Sequence, residues 1–197
     1  RSSDLLTERE FVTVERELRH VQDYLNIQML RFGAKIRVEL DIDDKVLGER
    51  ILKMTLQPVV ENAFRHGLEK KKGGGVLTIR AFADPESLHF IIRDNGVGMS
   101  AEQLDRLRRR LSAVPDADDD ALERPPAEQR TTGVGLANVH ARLLIHFGDR
   151  YRIHIDSEEG RGTGVELVLP RQPERPLAAQ AMNEIQGGLA DVQSGGR

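Results

Sequence analysis

The chain has 197 residues, with 29 Lys and Arg against 32 Asp and Glu, for a formal net charge of −3. With 39% apolar residues and 18 glycines it can build one packed core with appendages, which excludes disorder throughout. The lack of cysteine rules out disulfides, thiolate chemistry and thiolate-bound zinc, and the acidic balance with no Trp leaves nucleic acid without a natural surface. No run approaches the ~18 apolar residues of a membrane span, and the residues given carry no signal-peptide pattern. Beginning at Arg1, the chain is expected to be a cytoplasmic piece of a longer protein, with any membrane part outside it.

Val14, Leu18, Val21, Leu25, Met29 and Phe32 recur at helical steps and predict one long amphipathic helix. Its stripe fits a helix-pairing seam and a helix packed on its own domain equally well. Lys35 to Asp43 alternates as a strand, and a second helix is expected over Leu56 to His66, capped by Thr55, with Pro58 in its first turn and Gly67 closing it. Strands over Val76 to Ala83 and Leu88 to Asp94 flank the turn signal Asp84-Pro85. A helix over Glu102 to Leu111 leads into the Pro- and Asp-rich stretch Ala113 to Arg130, expected to be a long loop of the kind that forms lids. Gly133 and Gly135 then open a helix to His146, strands follow over Arg152 to Ser157 and Gly164 to Leu169, and the rest is expected to be a flexible tail.

Four short segments carry the chemistry. In PVVENAFRHG (Pro58 to Gly67), Glu61, Asn62, Arg65 and His66 stand on an otherwise apolar helix. An amide oxygen such as that of Asn62 can hold Mg²⁺, Arg65 and His66 can approach phosphate oxygens, and Glu61 can orient a water. Alone, the same residues would better suit a helix end with cations placed for its dipole. DNGVGM (Asp94 to Met99) follows a strand, where Gly96 and Gly98 allow a tight backbone and Asp94 can accept from an exocyclic amine. GVGLANVHARL (Gly133 to Leu143) puts Gly133, Gly135 and Leu136 at a helix start, where free N–H groups receive phosphate. GRGTG (Gly160 to Gly164) opens the last strand with Thr163, and a plain turn explains it nearly as well.

In this order the four segments resemble the N, G1, G2 and G3 boxes of the ATPase fold shared by histidine kinases, type II topoisomerases, Hsp90 chaperones and MutL. The wording PVVENAFRHG, with VERELRHVQDYLNIQMLRFG (Val14 to Gly33) before it, is similar more narrowly to the LytS/YehU-type sensor histidine kinases, over about residues 10 to 170. The resemblance implies an α/β class, a two-layer sandwich of the GHKL (Bergerat) type with helices over one face of a mixed sheet and a long helix in front. It implies residues 1–33 as the remnant of a dimerisation helix, 34–170 as the ATP-binding catalytic domain with a lid at about 113–132, and 171–197 as tail. Asn62 would hold Mg²⁺, Asp94 would read adenine, Thr163 would support that contact through water, and Arg65, His66, Gly96, Gly98, Gly133, Gly135 and Leu136 would complete the ATP site. The implied partners are ATP, a dimerisation domain bearing the phosphoacceptor histidine, a response regulator and, in the full-length protein, a second copy.

Two departures from the family pattern bear on this. The hydrolytic members carry a carboxylate four residues before the magnesium Asn, where this chain has Pro58; Glu61 stands next to Asn62 instead. No PHFLFN-like phosphoacceptor motif precedes the long helix, and His20, flanked by Arg19, Gln22 and Asp23, belongs to a solvated face. The expectation is therefore a kinase catalytic domain whose acceptor lies elsewhere, with a nucleotide-responsive binding module as the rival and an ATP hydrolase third.

Overall fold

The computed structural model describes residues 10–112 and 134–171. The expected lid at about 113–132, Gly133 and the tail beyond Arg171 lie outside the described residues.

A strand β1 (Phe11–Thr13) leads into helix α1 (Val14–Phe32), whose N-terminus is capped by the Thr13 hydroxyl accepting from Arg16 N–H at 3.3 Å. Gly33, at φ +57°, ends the helix in a backbone conformation that favours glycine. Strand β2 (Ile36–Ile42) and the short β3 (Arg50–Leu52) follow, then helix α2 (Gln57–Asn62), which widens into a π-helical turn over Ala63–Leu68. Strands β4 (Gly75–Ala83) and β5 (Ser87–Asp94) form the predicted hairpin, its turn held by the Asp84 carboxylate accepting from Glu86 and Ser87 N–H. Helix α3 (Ala101–Ser112), helix α4 (Val134–Phe147) and strands β6 (Arg152–Glu158) and β7 (Gly162–Pro170) complete the chain.

The strands form a five-stranded sheet in the order β2-β4-β5-β7-β6, parallel only between β2 and β4, while β1 and β3 pair antiparallel beside it. Alternation sends Leu77, Ile79 and Ala81 of β4, Leu88, Phe90 and Ile92 of β5, and Val165, Leu167 and Leu169 of β7 to one buried face. Arg80 and Arg93 stand on the other, where Arg80 pairs with Asp41 at 2.7 Å. The helices supply the second layer through Val59, Val60, Phe64, Leu104, Leu107, Leu136, Val139 and Leu143.

The stripe of α1 is turned into this same core: Val14, Val21 and Leu25 are buried, and Leu18, Met29 and Phe32 pack against them. Tyr24 and Phe32 meet Phe64 of the π-helical turn with ring centroids 6.2 and 5.3 Å apart. Of the two readings of the stripe, the packing shows a helix laid on its own domain.

Two local expectations fail at α2. Thr55 does not cap it, because its hydroxyl donates to the Leu52 carbonyl at 2.6 Å. The helix starts at Gln57, and its free N–H groups are taken by Glu17, a wholly buried carboxylate on α1. Glu17 Oε1 accepts from Leu56 at 3.0 Å and Gln57 at 3.5 Å, and Oε2 accepts from Met54 at 3.0 Å. A carboxylate at a helix N-terminus also meets the positive end of its dipole, and a partner some forty residues away in sequence leaves no local signature. Nor does Gly67 close the helix. The turn runs on to Leu68, with Glu69 N–H bonding to Phe64 five residues back.

Candidate functional site

A cleft of about 210 Å³ opens between the π-helical turn, the end of β5, the start of α3 and the β6–β7 turn. Asn62, His66 and Lys70 line one wall, with Asp94, Gly98, Met99, Gln103 and Thr163 among the residues opposite. Asn62 and His66 thus share the cleft face, whereas Arg65 is exposed and lies outside the lining.

Asp94 is the floor. It is 7% exposed; Oδ1 accepts Gly96 N–H at 2.8 Å, while Oδ2 is buried with no hydrogen-bond partner among the described residues. Burial pushes its carboxyl up to about 6, against the opposing pull of the Gly96 and Thr163 N–H groups and the Lys71 ammonium. An unpaired buried acceptor at the bottom of a cleft is complementary to a donor brought by a ligand, such as an exocyclic amine.

Backbone contacts that only glycine permits hold this floor. A Cβ at Gly67 would lie 2.4 Å from Asp94 Oδ1, and one at Gly96 would lie 2.2 Å from the Gly67 carbonyl carbon. Gly162, at φ +110°, would place a Cβ 2.0 Å from the Asp94 carbonyl oxygen, and Gly98, at φ +64°, would place one 2.0 Å from the Glu158 carbonyl oxygen. Gly98 borders the cleft, but the missing side chain of Gly96 makes room for Gly67 rather than for a ligand. Val97 N–H bonds to Gly67 O at 3.2 Å and Gly160 N–H to Val97 O at 2.7 Å, so three of the glycine segments lock onto one another.

Thr163 sits opposite Asp94 in the β5–β7 register, with its hydroxyl 2.8 Å from Ser157 Oγ. Ser157 in turn accepts Met99 N–H at 2.9 Å. This serine, which joins the β5 loop to the last hairpin, carried no signal in the sequence beyond a place in a strand. Lys70, four residues after His66, could have been found by extending the Asn62–His66 row by one more turn. Gln103 and Glu159 reach the cleft only through the fold. Burial, with Lys70 and Arg65 nearby, holds the His66 imidazole below its ordinary range.

Other expected residues stand apart from the cleft. The Glu61 carboxylate is held by Gln57 Nε2 at 2.8 Å and lies outside the lining. Leu136 is 1% exposed and packs in the core, so its side chain has no surface to offer a ligand. Gly135 lies at the start of α4 beside Pro58, where a Cβ would fit at 3.7 Å. Among the described residues no three His, Cys, Asp or Glu side chains gather into a metal-binding group, and no helix is long and apolar enough to cross a membrane.

The family model described as histidine kinase-, DNA gyrase B- and HSP90-like ATPase matches residues 48–173. The chain is 31% identical to the sensor protein LytS of Bacillus anthracis over 161 residues, and 30% identical to the sensor protein kinase HptS of Staphylococcus aureus over 166. These alignments cover 82% and 84% of this chain but only 25% and 29% of the relatives, so the chain spans about a quarter of their length. Among solved structures, the catalytic domain of histidine kinase ThkA superposes with a TM-score of 0.58 at 14% identity, covering 83% of this chain and 99% of that one. The mycobacterial sensor histidine kinase MprB gives 0.54 at 20% identity, covering 84% and 99%. The cleft and its glycine-locked floor lie within the matched residues, and this chain belongs to the histidine kinase-, DNA gyrase B- and HSP90-like ATPase family.

Proposed function

We propose that the chain is the catalytic, ATP-binding part of a two-component sensor histidine kinase. It would pass the γ-phosphoryl group of ATP to a histidine on a dimerisation helix, for relay to an aspartate of a response regulator. The observation that carries this reading is the unpaired, buried Asp94 Oδ2 beneath a cleft whose far wall presents Asn62, His66 and Lys70. One end suits the adenine amine and the other a polyphosphate. The similarity to LytS and HptS, both named as sensor proteins, favours a kinase over other members of the family.

In this reading Asp94 accepts the adenine amine on Oδ2, and Thr163, tied to Ser157, steadies the same edge through water. His66 donates to a phosphate oxygen, and Lys70 neutralises part of the phosphate charge. Asn62 fits Mg²⁺ as a single neutral oxygen donor at a site where the nucleotide phosphates supply the other ligands, the usual arrangement for this ion. When bound, the ion neutralises charge on the transferring phosphoryl group. Gly133 and Gly135 would bring the α4 N-terminus to the phosphates. Positioning then supplies most of the rate effect, by about 7–11 kcal/mol when donor and acceptor are held together.

The cleft does not favour hydrolysis. Pro58 occupies the position where hydrolytic relatives carry their carboxylate, and Glu61 is engaged by Gln57. His20 is exposed on α1 and is not the acceptor in this reading. The test incubates the chain with [γ-³²P]ATP alone and with a separately made dimerisation helix from a LytS-type kinase. Acid-labile label on the added helix, lost with Asn62→Ala, is the expected result. ATP binding without transfer to any histidine makes the chain a nucleotide-responsive binding module, and steady phosphate release makes it a hydrolase.

A further inference from the structure

The five-residue link from Lys53 to Gln57 is gripped from both sides. From α1, the buried Glu17 carboxylate accepts the N–H groups of Met54, Leu56 and Gln57. From α4, Arg142 donates to the carbonyl oxygens of Lys53 at 2.8 Å and Met54 at 3.3 Å. Between them Met54 is held at φ +59°, alone among the described non-glycine residues in the left-handed region. A side chain in that conformation costs of order 1 kcal/mol and persists only when the surroundings impose it. Three helices therefore meet at one strained link: α1, through which the chain enters the domain; α2, which ends in Asn62; and α4, which follows the glycines of the third motif. The family match begins at residue 48, after α1, so the carboxylate that organises the start of α2 comes from outside the matched stretch.

We infer that Glu17 is a positioning residue for Asn62, so that the affinity of the cleft for metal-bound nucleotide depends on how α1 is seated. Asn62 lies five residues beyond Gln57, about 7.5 Å along a continuous helix, so a shift or rotation at the capped end is carried to the amide oxygen. Asp94 is anchored on β5 and by the β6–β7 turn and does not touch the link; Gly67, which closes on its carboxylate, stands ten residues beyond Gln57, past the start of the π-helical turn. Seating α1 thus moves the phosphate wall at Asn62 first and the adenine floor least. This rests on the proposed role of Asn62 and adds a route by which movement upstream of the domain reaches the site.

The experiment uses the full chain with Glu17→Gln, which keeps the shape and one acceptor oxygen but turns an NH₂ group toward one of the N–H donors. Calorimetric titrations are run with Mg·ATP and, separately, with adenosine without metal. The expected result is a loss of about tenfold or more in Mg·ATP affinity, the size seen when residues behind a metal ligand are changed, with adenosine affinity unchanged within twofold. Parallel losses for both ligands, or no loss for either, overturn the inference, since a merely structural role would weaken both in step with stability. In the unmutated chain, the amide resonances of Met54 and Leu56 are expected to shift on adding Mg·ATP and to stay in place with adenosine. Resonances that stay in place with both ligands would also overturn it, whatever the variant's folding yield. Failure of the unmutated chain to bind Mg·ATP at all refutes the function proposed above, and is read from the first titration alone.

Discussion

The two walls of the cleft are built by different means. The floor proposed to take adenine is the Asp94 carboxylate set in backbone: Gly67, Gly96 and Gly162 bring main chain within a Cβ radius of Asp94 or its loop, and strand register sets Thr163 opposite. The wall proposed to take the phosphates is made of side chains in one row, Asn62, His66 and Lys70, spaced four residues apart along α2, the π-helical turn and the turn after it, and its direction depends on how α2 is capped by Glu17. A side chain enclosed by close backbone approach, as Asp94 is, has little room to change rotamer. A wall of side chains on a helix capped from another element can be moved as a unit.

The comparison breaks most severely at Gly67. Gly67→Ala drives a methyl group into the Asp94 carboxylate, and affinity for ATP and for adenosine alike should fall by roughly 100-fold. Calorimetry with both ligands checks this; an unchanged adenosine affinity would mean the floor is softer than its contacts suggest.

Asp94→Asn comes next and separates binding from stability. With a native carboxyl at about 6 against about 3.9 in the unfolded chain, the folded state holds a proton between those values that the unfolded state has released. Its contribution is therefore full below about pH 4, falls as pH rises, and is lost above about 6. The neutral amide escapes that cost, so the ligand-free variant should be more stable at pH 7.5 by up to about 2–3 kcal/mol while losing its preference for ATP over GTP. Thermal melts at pH 4 and 7.5 with competitive nucleotide titrations report both, and a variant less stable at pH 7.5 would contradict the burial cost.

On the other wall, Asn62→Ala should weaken Mg·ATP by about tenfold while leaving metal-free adenosine unchanged. Equal losses for both would remove its metal role. The smallest effect is expected for Glu61→Gln: with its carboxylate held by Gln57 away from the cleft, label transfer to the added dimerisation helix and Mg·ATP affinity should stay within about twofold. A tenfold fall in transfer would restore Glu61 to the reaction.

Much of this was legible in the residues. Strand alternation located β2, β4, β5, β6 and β7 to within a residue or two, because period-two burial is written in the side chains. The motifs around Asn62, Asp94 and Thr163 pointed to the side chains that the fold gathers into one cleft. Short-range chemistry decides such features: a helical step puts Asn62 and His66 on one face, and a run of glycines marks backbone that must come close to something. What that backbone approaches was not legible. Gly96 suggested room for a ligand and instead makes room for Gly67; Gly67 suggested a helix end and instead clears space for Asp94. Arg65 and Leu136 shared the motifs of the site residues, yet one faces solvent and the other the core.

Only the tertiary structure decided how α1 is used and what caps α2. The stripe from Val14 to Phe32 is the same whether it meets a second helix or its own domain, since burial energy has no direction and any apolar surface satisfies it. Glu17 would pass for one more charge on a solvated face until the fold buries it against three N–H groups some forty residues away. A local pattern specifies which face of an element is apolar and where a turn is tight. Which partner fills that face, and which distant acceptor satisfies a free helix end, is chosen by the packing of the whole chain.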